Sequence, residues 1–210
     1  MIKIYPIPVG DYQANCYIIS KGQDALVIDP GAEATKIIGY LNARNLTPQA
    51  ILLTHGHFDH IGALETVQKK YNIPVYAHEL EKVYLNDPDV NLSSKTGREL
   101  ISIKDFSEYT FINTDTTIGL MNLEIEIFHV PGHSRGSIAF YFQEDKVLFS
   151  GDALFAGSIG RTDLLYGDHN QLIKSINTQL FTLPDETIVY SGHGPATTIG
   201  HEKNTNPFFN

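Results

Sequence analysis

The stretch THGHFDH, residues 54–60, places three imidazoles and a carboxylate in seven residues of a chain with nine histidines in all. Neutral imidazole nitrogen and carboxylate oxygen are the ordinary ligands of divalent cations. Accidental clustering in a polar loop is the bland alternative, and the ligand-type residues that follow weigh against it. His133 comes in VPGH, Asp152 in SGD and His193 in SGH. His55, His57 and His133 offer three nitrogens, His60 and His193 two more, and Asp59 and Asp152 two carboxylates. That is too many for one four-coordinate ion. The set suits two divalent ions sharing a bridging carboxylate, each keeping a position open for water. Zinc, iron or manganese fits these donors and the residues do not choose among them; zinc is taken as the working expectation.

The elements that must position these groups read as strands. AILLT runs into His55, EIEIFHVPG into His133, KVLFSG into Asp152 and TIVYSG into His193. Glycine stands immediately before the ligand in the last three, where a side chain would hinder a sharp turn or a close approach. Loops leaving strand ends are where rigid scaffolds place functional groups.

Around them, IKIYPI, CYIIS, ALVID, IPVYAH, NLEIEIFHV and SIAFYF are short β-branched or alternating runs, as strands require. AILL reads as a strand buried on both faces. AEATKIIGYLNARN predicts a helix with Ala34, Ile37, Ile38 and Leu41 on one face and Pro48 beyond its end. Leu64, Val67 and Tyr71 mark a second helix; Leu172, Ile173, Ile176 and Leu180 mark a third within NQLIKSINTQLF. Residues 80–105, with Pro88, Ser93, Ser94 and Gly97, read as a helix followed by a mobile loop. Strands mixed with helices in both halves predict an α/β fold of sheets with helices outside, in one domain over residues 1–210.

The composition bounds the function. A formal net charge of −9 and the lack of any Lys/Arg cluster argue against a nucleic-acid surface. No apolar run approaches the ~20 residues of a membrane helix, and MIKIYPIPVG does not read as a signal peptide. The single cysteine, Cys16, has no internal disulfide partner and reads as a small buried residue in a cytoplasmic protein.

With these residues in hand, the chain resembles the metallo-β-lactamase-fold superfamily, and within it the small glyoxalase II-like (hydroxyacylglutathione hydrolase-like) hydrolases. The resemblance rests on THGHFDH, VPGHSRGS, SGDALFAGSIGRTDL and SGHGPATT, in that order. It implies a four-layer αββα sandwich with the metals at one edge of two sheets. It assigns His55, His57 and His133 to the first ion and Asp59, His60 and His193 to the second, with Asp152 bridging. It implies hydrolysis of a small-molecule thioester, such as a hydroxyacyl-thiol conjugate, by a metal-bound hydroxide that Asp59 also orients.

The alternatives it leaves are a persulfide dioxygenase with one iron on His55, His133 and Asp152, or a lactonase on the same dinuclear site. The commonest β-lactamases of the superfamily carry cysteine where this chain has Asp152, which turns the expectation away from lactams. Full-length glyoxalase II enzymes add a C-terminal helical region that helps hold glutathione, and the sequence here ends in GHEKNTNPFFN. The reaction type therefore carries over more firmly than the thiol carrier.

Arg161 is a candidate grip for a substrate carboxylate, against a salt bridge with Asp163 or Asp168. His129 reads as a hydrogen-bonded core residue or a support for a metal-bound imidazole, and Phe58 as a wall of the site. Lys203 and Asn204 read as solvated, against a contact with the thiol carrier. Phe208 and Phe209 either dock the tail or form an interface.

Overall fold

The structure is a computed structural model and describes residues 1–209. The chain divides into two compact units, the first Met1–Ile112 and the second beginning at Asn113.

In the first unit, β1 (Lys3–Val9), β2 (Ala14–Lys21) and β3 (Asp24–Ile28) form an antiparallel meander. Helix α1 (Ala34–Ala43) crosses over to β4 (Thr47–Leu52), parallel to β3. The single turn α2 (Phe58–Ile61) and α3 (Leu64–Tyr71) lead to β5 (Val75–His78). Helix α4 (Lys82–Asn86) and a long loop lead to β6 (Tyr109–Ile112), again parallel. The strands lie side by side in chain order.

The register aligns Ile18, Val27, Ile51 and Val75 in one row across the sheet. That row packs with Ile37 and Leu41 of α1 and Leu64 and Val67 of α3. Burying each such side chain is worth roughly 1.5–3 kcal/mol, so the amphipathic helices are held by this face. Ile19, Leu26 and Leu52, of opposite parity, are buried as well, which accounts for the unbroken apolar runs. Pro48 follows the helix as expected but lies inside β4. Having no N–H to donate, it sits beside the register shift after Ala25.

The stretch at 80–105 differs from its reading as a mobile loop. After α4 it has one 3-10 turn, Ser93–Lys95, and is tied down by buried side chains. The Asn91 Nδ2 donates to the carbonyls of Tyr84 (2.8 Å) and Ile101 (2.9 Å), and Ile101 N–H donates to Ser93 Oγ (3.0 Å). Ile103 N–H donates to Leu85 O, and the Ile103 side chain is buried.

In the second unit, β7 (Thr116–Leu120), β8 (Leu123–His129), β9 (Ile138–Phe142) and β10 (Val147–Gly151) run antiparallel in turn. A short hairpin follows, β11 (Leu154–Phe155) with β12 (Ser158–Ile159). Helix α5 (His169–Thr178) crosses to β13 (Ile188–Ser191), parallel to β10, and β14 (Thr197–Thr198) closes the order β14-β13-β10-β9-β8-β7. Helix α6 (Ile199–Thr205) ends the unit. Leu172 and Ile176 of α5 and Ile199 of α6 pack on Ala139, Leu148 and Val189.

Asp168 caps α5 by accepting from Gln171 N–H (2.9 Å). The helix stops at Thr178, three residues short of the amphipathic stretch, and Leu180 is buried from a 3-10 turn instead. Two mixed sheets, each with helices on one face, supply the two sheet and two helix layers expected. Among the described residues, no helix is long and apolar enough to cross a membrane.

Candidate metal centre

In a parallel pair the carboxyl ends of both strands lie on one edge of the sheet, where ligands of α/β proteins bind. The first unit uses this at β3 and β4. Asp29 follows the last residue of β3, and its N–H donates to Leu52 O (3.1 Å) at the end of β4. Thr54 and His55 come directly after. The second unit uses the same device. β8 and β10 both run antiparallel to β9, and β13 runs parallel to β10. The carboxyl ends of β8, β10 and β13 therefore share one edge, and His133, Asp152 and His193 leave from it. Gly151 stands at φ +52 immediately before Asp152, a backbone state that glycine adopts without strain.

Within the first unit, the imidazoles of His55, His57 and His60 are buried and Asp59 is half-buried. The His55 ring centroid lies 5.0 Å from that of His57 and 4.2 Å from that of His60. His60 Nε2 and Asp59 Oδ2 stand 4.0 Å apart. Within the second unit, Asp152 Oδ2 stands 3.7 Å from His133 Nε2 and 3.6 Å from His193 Nε2. Those three spacings exceed a hydrogen bond. Two donors at ~2.1 Å from one ion, roughly 109–120° apart, are separated by about 3.4–3.6 Å. The spacings are close to those of atoms sharing a cation.

The other ring nitrogens are fixed by oxygen acceptors. Thr54 Oγ donates its one proton to Asp29 Oδ2 (2.6 Å), so it accepts from His55 Nδ1–H (3.0 Å). His60 Nδ1–H donates to the same Asp29 Oδ2 (3.0 Å). His133 Nδ1–H donates to the carbonyl of Arg161 (2.8 Å), which can only accept. Each of these three imidazoles thus points its Nδ1–H at an acceptor, which leaves Nε2 as the atom able to offer a lone pair. That is the tautomer a metal takes, and the outer partner is the usual one for a ligating histidine. The donor chemistry fits divalent cations.

Sequence reasoning missed Asp29, although VIDPG ends a strand on a ligand-type residue as the other runs do. Asp29, His55 and His60 offer ligand atoms within 4.8 Å of one another. Yet Asp29 also accepts from Thr54 N–H (2.8 Å), so both its oxygens are committed to holding the others. Glu81 was missed too: buried, it accepts from Gly56 N–H (2.6 Å), between His55 and His57. Its sequence context, HELEK, looks like a solvated surface.

Other expectations resolve individually. The Arg161 guanidinium, proposed as a substrate grip, is exposed and pairs with Asp163 through Nε and Nη2 (both 2.8 Å), which pulls the Asp163 carboxyl down to about 2. The Arg161 backbone carbonyl is what holds His133. His129 is half-buried rather than core, with Nε2 near Arg135 O (2.9 Å). Phe58 packs edge-on against Tyr12 at 5.1 Å. Lys203 pairs with Asp185, and Asn204 donates to Gly200 O. Phe209 docks on Phe181 at 4.8 Å, while Phe208 stays exposed. Cys16 is fully buried, which pushes its thiol pKa far up.

The sequence profile of the Metallo-beta-lactamase superfamily matches residues 9–193. Over 204 residues the chain is 44% identical to "Probable metallo-hydrolase YqgX" of Bacillus subtilis, covering 97% of this chain and 96% of that one. Over 206 residues it is 39% identical to hydroxyacylglutathione hydrolase GloC of Haemophilus influenzae, with 97% and 96% covered. The crystal structure of BLEG-1 B3 metallo-beta-lactamase matches with a TM-score of 0.94 and 45% identity, over 100% of this chain and 99% of that one. TTHA1623, solved in a di-iron-bound form, matches with a TM-score of 0.84 and 38% identity, over 97% and 99%. The fold is the metallo-β-lactamase fold, and at this level the protein is a metallo-hydrolase whose clustered His and Asp residues can hold a metal. The chain belongs to the metallo-β-lactamase superfamily.

Proposed function

We propose that the protein hydrolyses a small-molecule thioester of the hydroxyacyl-thiol kind, using two divalent cations. His55, His57 and His133 would hold one cation and Asp59, His60 and His193 the other, with Asp152 shared. The observation that carries the two-ion reading is the placement of Asp152 Oδ2, 3.7 Å from His133 and 3.6 Å from His193. One oxygen reaches an imidazole of each proposed set. The substrate class is supported by the full-length similarity to GloC.

Bound divalent cations supply acidified water, with its pKa lowered from 15.7 toward ~7, and positive charge for a developing oxyanion. The chain's part is positional. Asp29 and Thr54 aim His60 and His55, the Arg161 carbonyl aims His133, and half-buried Asp59 has a carboxylate to orient the attacking water. The departing thiolate has a conjugate acid near pKa ~8.5, so it leaves without a general acid. The net charge of −9 and the lone buried cysteine support a cytoplasmic enzyme for small molecules.

A second reading, β-lactam hydrolysis, is favoured by one observation: the B3 metallo-beta-lactamase structure matches the whole chain at 45% identity. Elemental analysis and a substrate panel separate the readings. Two zinc-like ions per chain and preferred turnover of an S-hydroxyacyl glutathione over a lactone and a β-lactam are expected. Preferred turnover of the lactone or lactam would replace the thioester reading. One iron per chain, with oxygen consumed on a persulfide, would overturn hydrolysis altogether.

A further inference from the structure

Beside Asp59 the first unit opens a cavity of about 530 Å³, within the ordinary range of small-molecule sites. Its lining includes Tyr12 and Gly10 from the β1–β2 turn, Phe58 and Asp59 from α2, and Arg98 and Leu100 from the loop after α4. Tyr12 and Leu100 are two of the few large apolar side chains exposed on this protein. Exposed apolar groups grouped at the mouth of a cavity mark a binding site rather than scattered surface residues.

The charges are unequal in availability. Glu33 lies 3.5 Å from Lys36 and also accepts from Gly10 N–H, and Glu65 pairs with Lys69 at 2.9 Å. Asp59 is assigned to a cation, and Glu99 stands in the lining next to Arg98 in sequence. Arg98 is the one cationic residue in the lining, and its guanidinium pairs with the Asp11 carboxylate across the cavity rim. Both partners are largely exposed, and an exposed pair of this kind contributes little because water and salt screen it. Exchange of Asp11 for another carboxylate is therefore cheap. The loop that presents Arg98 is preformed, tied by Asn91 and Ser93 at one end and Ile103 at the other.

Resting on the thioester reading, we propose that this cavity binds the thiol-carrier part of the substrate, with Arg98 taking a carboxylate of the carrier in exchange for Asp11. Tyr12, Phe58 and Leu100 cover the apolar stem. A planar guanidinium accepts a carboxylate through two parallel hydrogen bonds, which fixes the carrier's orientation as well as its charge. No covalent step is involved at Arg98.

The test compares two thioesters with the same acyl group, one on 3-mercaptopropionate and one on its neutral amide, with metal-loaded protein. The wild type is expected to favour the carboxylate by roughly tenfold in KM, as one charge-assisted pair gives. Arg98→Ala should abolish that ratio, Arg98→Lys should restore part of it, and Asp11→Asn should widen it. A wild-type ratio near one, or a ratio that survives Arg98→Ala, overturns the assignment.

Binding is read separately by calorimetry with S-methyl-3-mercaptopropionate, which cannot present a thiolate to a metal. Arg98-dependent binding of this probe upholds the cavity even if neither thioester is hydrolysed, in which case only the thioester reading falls. Binding that is absent, or indifferent to Arg98, removes the cavity from the mechanism.

Discussion

Replacing Thr54 by valine and Asp29 by alanine should disturb metal binding in two distinguishable ways, because one carboxylate serves two histidines. Asp29 Oδ2 accepts from His60 Nδ1–H directly and from Thr54 Oγ–H, whose oxygen in turn accepts from His55 Nδ1–H. Thr54→Val preserves shape and burial but deletes the hydroxyl, so only His55 loses its acceptor. Asp29→Ala removes the acceptor of His60 and frees the Thr54 hydroxyl to rotate, so both imidazoles loosen. Loss of such an outer partner typically weakens a metal by 10–100-fold, roughly 1.4–2.7 kcal/mol.

The valine variant should therefore weaken one cation by about that factor, and the alanine variant should weaken both, lowering the overall two-ion constant by roughly 10²–10⁴. Chelator competition with zinc, resolved into two constants, measures this. Thermal unfolding of the metal-free proteins separates lost affinity from lost fold. If Thr54→Val weakened both constants equally, or Asp29→Ala left two tight ions, the shared-acceptor argument would be wrong.

Four further outcomes follow from the geometry. Asp152→Ala should lower bound metal below two ions per chain by elemental analysis and lower turnover by several orders of magnitude, since its oxygen lies beside both His133 and His193; full metal content would refute the bridging role. At Gly160 an added Cβ would lie 1.8 Å from Asp152 O and 3.2 Å from His133 Nδ1, so Gly160→Ala should reduce metal content in protein that still folds by circular dichroism. Asn91→Ala strands two carbonyl acceptors, at about 1–3 kcal/mol each when buried, so chemical denaturation should show a loss of roughly 2–6 kcal/mol and limited proteolysis should cut within 92–100. Cys16, with no solvent exposure and a thiol pKa raised mainly by burial, should resist Ellman's reagent at pH 8 in the native protein and react once per chain in denaturant.

How far the fold is legible in the sequence depends on how each element is held. β4 and β9 announce themselves because both faces are buried, leaving continuous apolar runs in AILL and IAFYF. Helices α1, α3 and α5 show a period near 3.6 because one stripe faces a sheet. The elements that escaped notice have neither signal. β6 and β7 are outer strands of their sheets with exposed or half-buried faces. Helix α6 is seven residues long with glycine in its first turn, held by the Thr198 cap and by buried Glu202, which accepts from Thr197, Gly157 and Asn206. Apart from the distant Gly157, those contacts are local but polar, so no apolar period marks the helix. The same holds for 80–105, where polar composition reads as mobility while Asn91 turns its amide inward.

The candidate site was legible in its ligands and not in their supports, and the reason lies in what a strand end can encode. Parallel pairing brings the carboxyl ends of β3 and β4 to one edge, and of β10 and β13 to another, so a ligand-type residue just past a strand is a strong signal. Asp29 carries that same signal in VIDPG and is still no ligand by its bonding. Its two oxygens already take Thr54 N–H, Thr54 Oγ–H and His60 Nδ1–H. To coordinate a cation it would have to release buried donors, at about 1–3 kcal/mol apiece. Residue type and position do not mark Asp29 as a support; its hydrogen-bond saturation does, and that property exists only once Thr54 and His60 have been folded against the carboxylate.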